Sequence, residues 1–141
     1  MVSYRDDAAL GREQFIELYY SCSLGARRPL EDLLIVEAMI THANLTITAW
    51  DGALLVGIAR TLTDFHYIAY LADLAVRETH QKSGIGIELI RQTRQKLGPR
   101  CGILLRAAPA AKDYYRHIGF TEAPHTWTLD AGRQFPQALS T

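Results

Sequence analysis

Residues 70–90 read YLADLAVRETHQKSGIGIELI, and the change of character midway through this stretch decides the fold. The segment FHYIAYLADLAV, ending at Val76, is long and apolar on both faces, as a strand inside a sheet must be. From Gly84 to Leu97 the pattern becomes helical, with a stripe of Gly86, Leu89, Ile90, Thr93 and Leu97, and Gly98-Pro99 ends it. Between the two lies a loop rich in small residues. Glycines there leave backbone N–H groups bare, and the helix start adds roughly half a positive charge, so Gln81, Lys82, Ser83, Gly84, Ile85 and Gly86 are expected to cradle a phosphate. Ser83 is expected to cap the helix, and Lys82 adds a flexible cation. Neither GxxxxGK[ST] nor GxGxxG occurs, which excludes a Walker loop and a dinucleotide fingerprint.

Working outward, LTITAW and ALLVGIARTLT read as two strands joined by Asp51-Gly52, a strong hairpin signal. Upstream, residues 2–5 suit a short edge strand, and helices are expected over Leu10–Cys22 and Leu30–His42, with Pro29 at the start of the second. Downstream, CGILLRA is a further strand, PAAKDYYRHIG a short helix closed by Gly119, and TWTL a last strand. The order β-α-α-β-β-β-α-β-α-β predicts an α/β fold with a mixed, mainly antiparallel sheet covered by helices on both faces. One domain over residues 1–129 and a tail over 130–141 are expected.

The chain has 141 residues, 48% of them hydrophobic, which is enough for one core. Its formal net charge is zero, and the lack of a basic excess argues against a nucleic-acid binder. The charge is nevertheless segregated. Residues 77–116 carry nine basic groups against Glu78, Glu88 and Asp113, a local field suited to one anionic ligand. Cys22 and Cys101 lack metal-ligand spacing and fall in packing patterns, so no metal is expected. The N-terminus lacks a signal-type apolar run, and no apolar stretch is long enough to span a bilayer, which predicts a soluble cytoplasmic protein.

The block at 70–90 resembles the acetyl-CoA-binding motif of the GNAT superfamily of N-acetyltransferases. The later AAKDYYRHIGF is similar to that family's second motif, A-x-x-F-Y-x-x-x-G-F. Together they cover about fifty residues, Tyr70 to Phe120, in the family's order and separation. The resemblance implies that the strand before the loop splays from its neighbour, so that Leu74, Ala75 and Val76 hold the pantetheine arm and polarise the thioester carbonyl. It implies pyrophosphate on the amides of Gln81 to Gly86. It also implies that Tyr115, four residues before Gly119, protonates the departing thiolate, with Tyr114 in the place usually held by Phe. A phenol with a pKa of about 10 gives its proton uphill to a thiolate near 8.5, so proximity counts for more than acidity.

Polyamine-acetylating members carry a glutamate in a Y-L-E-D-F-like strand; here Ala72 takes its place, with Asp73 beside it. Strict alternation puts Asp73 on the opposite face from Ala72, where it acts as a base through water or orders the loop. In the family, the N-terminal helices and their connecting loop set acceptor choice. That loop, SLGARRPL, presents Arg27 and Arg28, suited to an acceptor carboxylate or phosphate. Arg60 lies in an apolar strand row and therefore needs a partner, either Asp64, another acid or a substrate carboxylate. The expected activity is direct transfer from acetyl-CoA to the primary amine of a small molecule, with a peptide amine as the lesser choice and a homodimer as an option. The competing expectation is an idle acyl-CoA-binding sensor or assembly module, which Ala72 keeps open.

Overall fold

The structure, a computed structural model, describes residues 1–136 as two units, Met1–Arg106 and a second beginning at Ala107. In the first unit, five strands form one sheet in the order β1-β2-β3-β4-β5: β1 Val2–Arg5, β2 Leu45–Asp51, β3 Leu54–Thr63, β4 Ile68–Val76 and β5 Gly102–Leu104. The first three pairings are antiparallel and β4–β5 is parallel, so the expected mixed, mainly antiparallel α/β sheet is what forms. Helices α1 (Arg12–Tyr20) and α2 (Leu33–His42) cover one face, where Phe15, Leu18, Tyr19 and Val36 bury against Leu55, Ile58 and Ala75. Helix α3 (Ile85–Gln95) covers the other, setting Ile85 and Leu89 against Ile47, Val56, Ala59 and Leu71. Gly57 permits this approach: a Cβ there would lie 3.0 Å from Leu89 Cδ1 and 3.2 Å from Ile85 Cγ2.

Several boundaries differ from the sequence reading, each for a local reason. Helix α2 starts three residues late because Asp32, not Pro29, organises its first turn, accepting from Leu34 N at 3.1 Å and Ile35 N at 3.3 Å. Strand β4 starts at Ile68 because the Asp64 carboxylate gathers the amides of His66, Tyr67 and Ile68 into a turn, with Phe65 at φ 69°. Those three backbone donors hold the Asp64 carboxyl below its ordinary range. Asp64 is thereby spent on the turn and is not the partner of Arg60.

Strict alternation also fails along β4. Arg60 pairs with Asp73 but Thr61 with Leu71, so Ala72 is an extra residue, a β-bulge. The bulge explains how Leu71 and Leu74, three apart, both pack on the α3 face while Asp73 and Ala75 face α1.

In the second unit, a 3₁₀ turn at Pro109–Ala111 leads into α4 (Lys112–His117), and Gly119 at φ 103° ends the helix. The strand expected at Thr126–Leu129 does not form. Those residues pair with no strand among the described residues, and Trp127 is 91% exposed. Alternating apolar residues favour a strand only where a sheet edge and a surface to bury against are offered. The expected tail extends partly beyond the described residues, at 137–141.

Candidate functional site

Strand β4 is paired along its whole length on one side only. Its ladder with β5 stops at Tyr70–Leu104, so among the described residues nothing pairs with 71–76 on that side. The peptide linking Val76 to Arg77 shows which groups face outward. The Arg77 amide donates to the Val56 carbonyl on β3 at 2.8 Å, so the Val76 carbonyl points away from β3, where it accepts from Gln81 Nε2 at 2.9 Å. Alternation turns the Leu74 backbone the same way and the Ala75 backbone toward β3. Of the three residues assigned to this edge, Leu74 and Val76 therefore present their polar groups outward, while Ala75 contributes its buried side chain to the α1 face.

The loop after β4 is tied down from several sides. Arg77 grips Glu17 of α1 in a two-pronged ion pair at 2.6 and 2.7 Å and donates to the Leu55 carbonyl, and Glu78 N donates to Ser21 O. The His80 ring sits between Thr79 Oγ1 and Asp51 at the end of β2, and the bond to His80 lowers the Asp51 carboxyl. Lys82 at φ 63° and Gly84 at φ 87° then bend the chain into α3, with Gly84 as the left-handed N-cap. Ser83 does not cap the helix. Its hydroxyl donates to the His80 carbonyl at 2.6 Å, bracing the loop. Among the described residues, the amides of 82–87 donate to no backbone carbonyl. Six backbone donors at a helix N-terminus, beside an unpaired strand edge, suit the phosphates of an anionic ligand.

Asp73 sits at the centre of a buried polar cluster on the α1 face. Its side chain is fully buried and accepts from Tyr19 Oη at 2.6 Å, Arg28 Nε at 2.7 Å and Arg60 Nε at 2.6 Å. Burial pushes the carboxyl up, but Arg60, then Tyr19 and Arg28, outweigh it and leave Asp73 below its ordinary value. A carboxylate so committed has little basicity to offer. Arg28 also donates to the carbonyl of bulged Ala72 at 3.1 Å, so the α1–α2 connection is latched to β4. Arg27, next to it, is exposed.

Tyr115 belongs to the second unit. Its ring meets Phe120 edge-on at 5.6 Å between centroids and Tyr114 at 5.3 Å, and its carbonyl accepts from Phe120 N at 2.9 Å. Cys101 is buried, and burial raises the Cys22 thiol, which suits packing rather than nucleophilic chemistry. Among the described residues no cluster of metal-ligating side chains occurs, and no helix is long and apolar enough to cross a membrane.

Two functional elements escaped the sequence reading. Tyr19 was legible only as one position in an apolar helical stripe, and the clamp of Arg77 on Glu17 spans sixty residues with no local signal.

Comparison with known proteins gives this geometry a family. None of the curated proteins matches the chain significantly. In fold it is similar to a GNAT-family acetyltransferase from Streptococcus pneumoniae (19% identity, 93% of this chain and 99% of that one, TM-score 0.73). It is also similar to an acetyltransferase from Trypanosoma brucei (18%, 92% and 99%, TM-score 0.64). A third similar structure is an aminoglycoside N-acetyltransferase solved in complex with CoA (15%, 94% and 95%, TM-score 0.70). The family description of the acetyltransferase (GNAT) domain matches residues 42–122, more than half the chain and the whole run from β2 through α4. The half-paired β4 and the bare-amide loop that follows it lie within that match, and this chain belongs to the family of acetyltransferase (GNAT) domains.

Proposed function

We propose that this protein moves an acetyl group from acetyl-CoA to the primary amine of a small molecule by direct attack. The observation that carries the reading is the row of unpaired amides at 82–87 beside the open edge of β4. Those donors fit a pyrophosphate, and the outward groups of Leu74 and Val76 fit an amide-bearing arm that adds itself to the strand edge. Acetyl-CoA supplies a thioester carbon open to attack by a neutral amine. Within that scheme, the amides of Lys82 to Gly86 hold the phosphates, and Gln81 keeps the loop against the end of β4. The N–H groups of Leu74 and Val76 stabilise negative charge on the carbonyl oxygen. Tyr115 holds the proton that the sulfur needs. Asp73, saturated by three donors, positions the bulge and the α1–α2 loop, and the amine loses its proton to solvent. Arg27, exposed on that loop, is the residue placed to read an acceptor anion, while Arg28 and Arg60 serve it through Asp73. Residues 1–129 act as the domain and 130–141 as its tail, in a cytoplasmic protein able to pair as a homodimer.

The test is thiol release from acetyl-CoA across an amine panel, run beside a thermal-shift titration of acetyl-CoA alone. Release with at least one small amine is expected, and Tyr115→Phe should lower turnover about a hundredfold while leaving acetyl-CoA affinity nearly unchanged. No thermal shift overturns the cofactor site. A shift without release from any amine favours the second reading, an idle acyl-CoA sensor or assembly module. That reading draws on one observation: β4 offers no free carboxylate, with Ala72 at the bulge and Asp73 fully engaged.

A further inference from the structure

A cavity of about 500 Å³ opens at the other side of the sheet from the free edge of β4. Strand β1 leaves β2 after Arg5–Thr48, so the start of β2, from Leu45, is uncovered there, and the chain running from Asp6 to Leu10 forms the rim. Its apolar lining includes Leu10, Ile40 and Phe65, each partly exposed, while Phe15 and Ile58 lie buried behind them. The volume falls in the range of sites for a small organic molecule. Arg60 joins the wall from β3 and is the charged group set deepest, its side chain 12% exposed.

The charge around Arg60 is unbalanced. Asp73 alone faces both Arg28 and Arg60, so the half-buried cluster holds one carboxylate and two guanidiniums. Arg60 gives Nε to Asp73, and among the described residues its Nη1 reaches the Met39 carbonyl at 3.4 Å, with Tyr19 adding a weaker interaction. A guanidinium fork has five N–H donors, so among the described residues part of this one is left for a further acceptor. The acids at the rim do not supply it. Asp6 is taken by Lys96 at 2.6 Å and Asp7 by Arg5 at 3.3 Å. Asn44 is spent on both backbone groups of Thr63.

We propose that this cavity is a binding site for a small carboxylate with a short apolar body, its anion on the outer edge of Arg60 and its body against Leu10, Ile40 and Phe65. It is separate from the transfer site, because β3 lies between it and β4. Such a ligand completes the charge balance that Asp73 leaves unfinished, and Arg60 joins it directly to the bulge of β4.

The probe is phenylacetate, titrated into the protein without acetyl-CoA and followed by isoleucine methyl shifts, with phenethylamine as the isosteric cation. Phenylacetate should bind with a dissociation constant at or below about 10 mM and move Ile40 and Ile58, whereas phenethylamine should not. Ala43 lines the cavity from the end of α2, and Ala43→Trp fills it without touching Arg60 or the 81–86 loop. This variant should weaken phenylacetate at least tenfold while acetyl-CoA produces the same thermal shift as in the wild type. If Ala43→Trp fails to fold, Ile40→Trp repeats the test from α2. Absence of phenylacetate binding overturns the proposal, as does equal binding by phenethylamine or by a folded filled-cavity variant. A last arm separates the cavity from the acceptor site. With an amine that the protein acetylates, folded Ala43→Trp should release thiol from acetyl-CoA at the wild-type rate, and loss of that rate would make the cavity part of the acceptor site and end the claim of a separate one.

Discussion

Two polar regions flank β4, and they are built in opposite ways. On the α1 face, Asp73 is buried and every oxygen is claimed from within the protein, by Tyr19, Arg28 and Arg60. At the end of the strand, the amides of residues 82–87 meet no backbone acceptor among the described residues. The difference teaches how one strand serves two ends. The cluster locks three segments of chain to the bulge, whereas the loop keeps its donors for a ligand. Satisfied buried groups hold a fold in one arrangement, while donors left open at a helix start are available for binding.

The largest effect that would break this contrast is Asp73→Ala. Removing the shared carboxylate leaves two guanidiniums and a phenol facing each other without a counter-charge, and loss of one partner of a buried pair costs about 3–5 kcal/mol. Urea denaturation should show that loss in the midpoint; an unchanged midpoint would place the cluster outside the folded-state energetics. The pH profile carries the same sign. Asp73 is depressed in the fold, so its contribution is present above the unfolded value of about 3.9 and is lost as pH falls through the lower folded value. The Tyr19 phenol is raised by burial and by Asp73, so its contribution is full below about 10 and declines as pH rises beyond it. Stability measured across pH should therefore hold a plateau and fall on both sides.

A smaller effect is expected at the open end. Gly84 sits at φ 87° with nothing within 4 Å of a Cβ position, so Gly84→Ala meets no clash and reports backbone strain alone. A left-handed residue with a Cβ costs about 1–2 kcal/mol. If the loop instead relaxes to avoid that cost, its amides turn and acetyl-CoA affinity drops while stability barely changes. Denaturation and calorimetric titration together show which occurs, and no change in either would mean that the left-handed cap is not needed.

These two ends were not equally legible in the chain. The loop could be read because its chemistry is local: glycines, a polar run and a helical stripe lie within twenty residues of one another. The cluster could not, since Tyr19 and Asp73 are 54 residues apart and Arg28 and Asp73 45 apart. Only Arg60 gave a warning, as a charge in an apolar row, but the acid it named, Asp64, is spent on a turn while the true partner, Asp73, lies thirteen residues away on β4. The bulge at Ala72 was hidden for a related reason, because an inserted residue shows only when both strands of a pair are aligned. Thr126–Leu129 failed in the other direction, since an alternating pattern states what a strand requires and not whether a sheet edge is offered.

Arg77 lies where the two regions meet, and its clamp gives the smallest expected effect. It follows the last residue of β4, holds the Leu55 carbonyl with its inner edge, and reaches Glu17 on α1 with both outer nitrogens. The pair lowers the Glu17 carboxyl, first through the hydrogen bond from Arg77. The Glu17 side chain is 59% exposed, so water screens most of the attraction and Glu17→Gln should cost less than about 1 kcal/mol. If the clamp sets where the loop begins, acetyl-CoA binding should weaken a few-fold even though stability hardly moves. If affinity and stability both stay at wild-type values, the bonds from Arg77 to Leu55 are sufficient, and the loop takes its position from β3 rather than from α1.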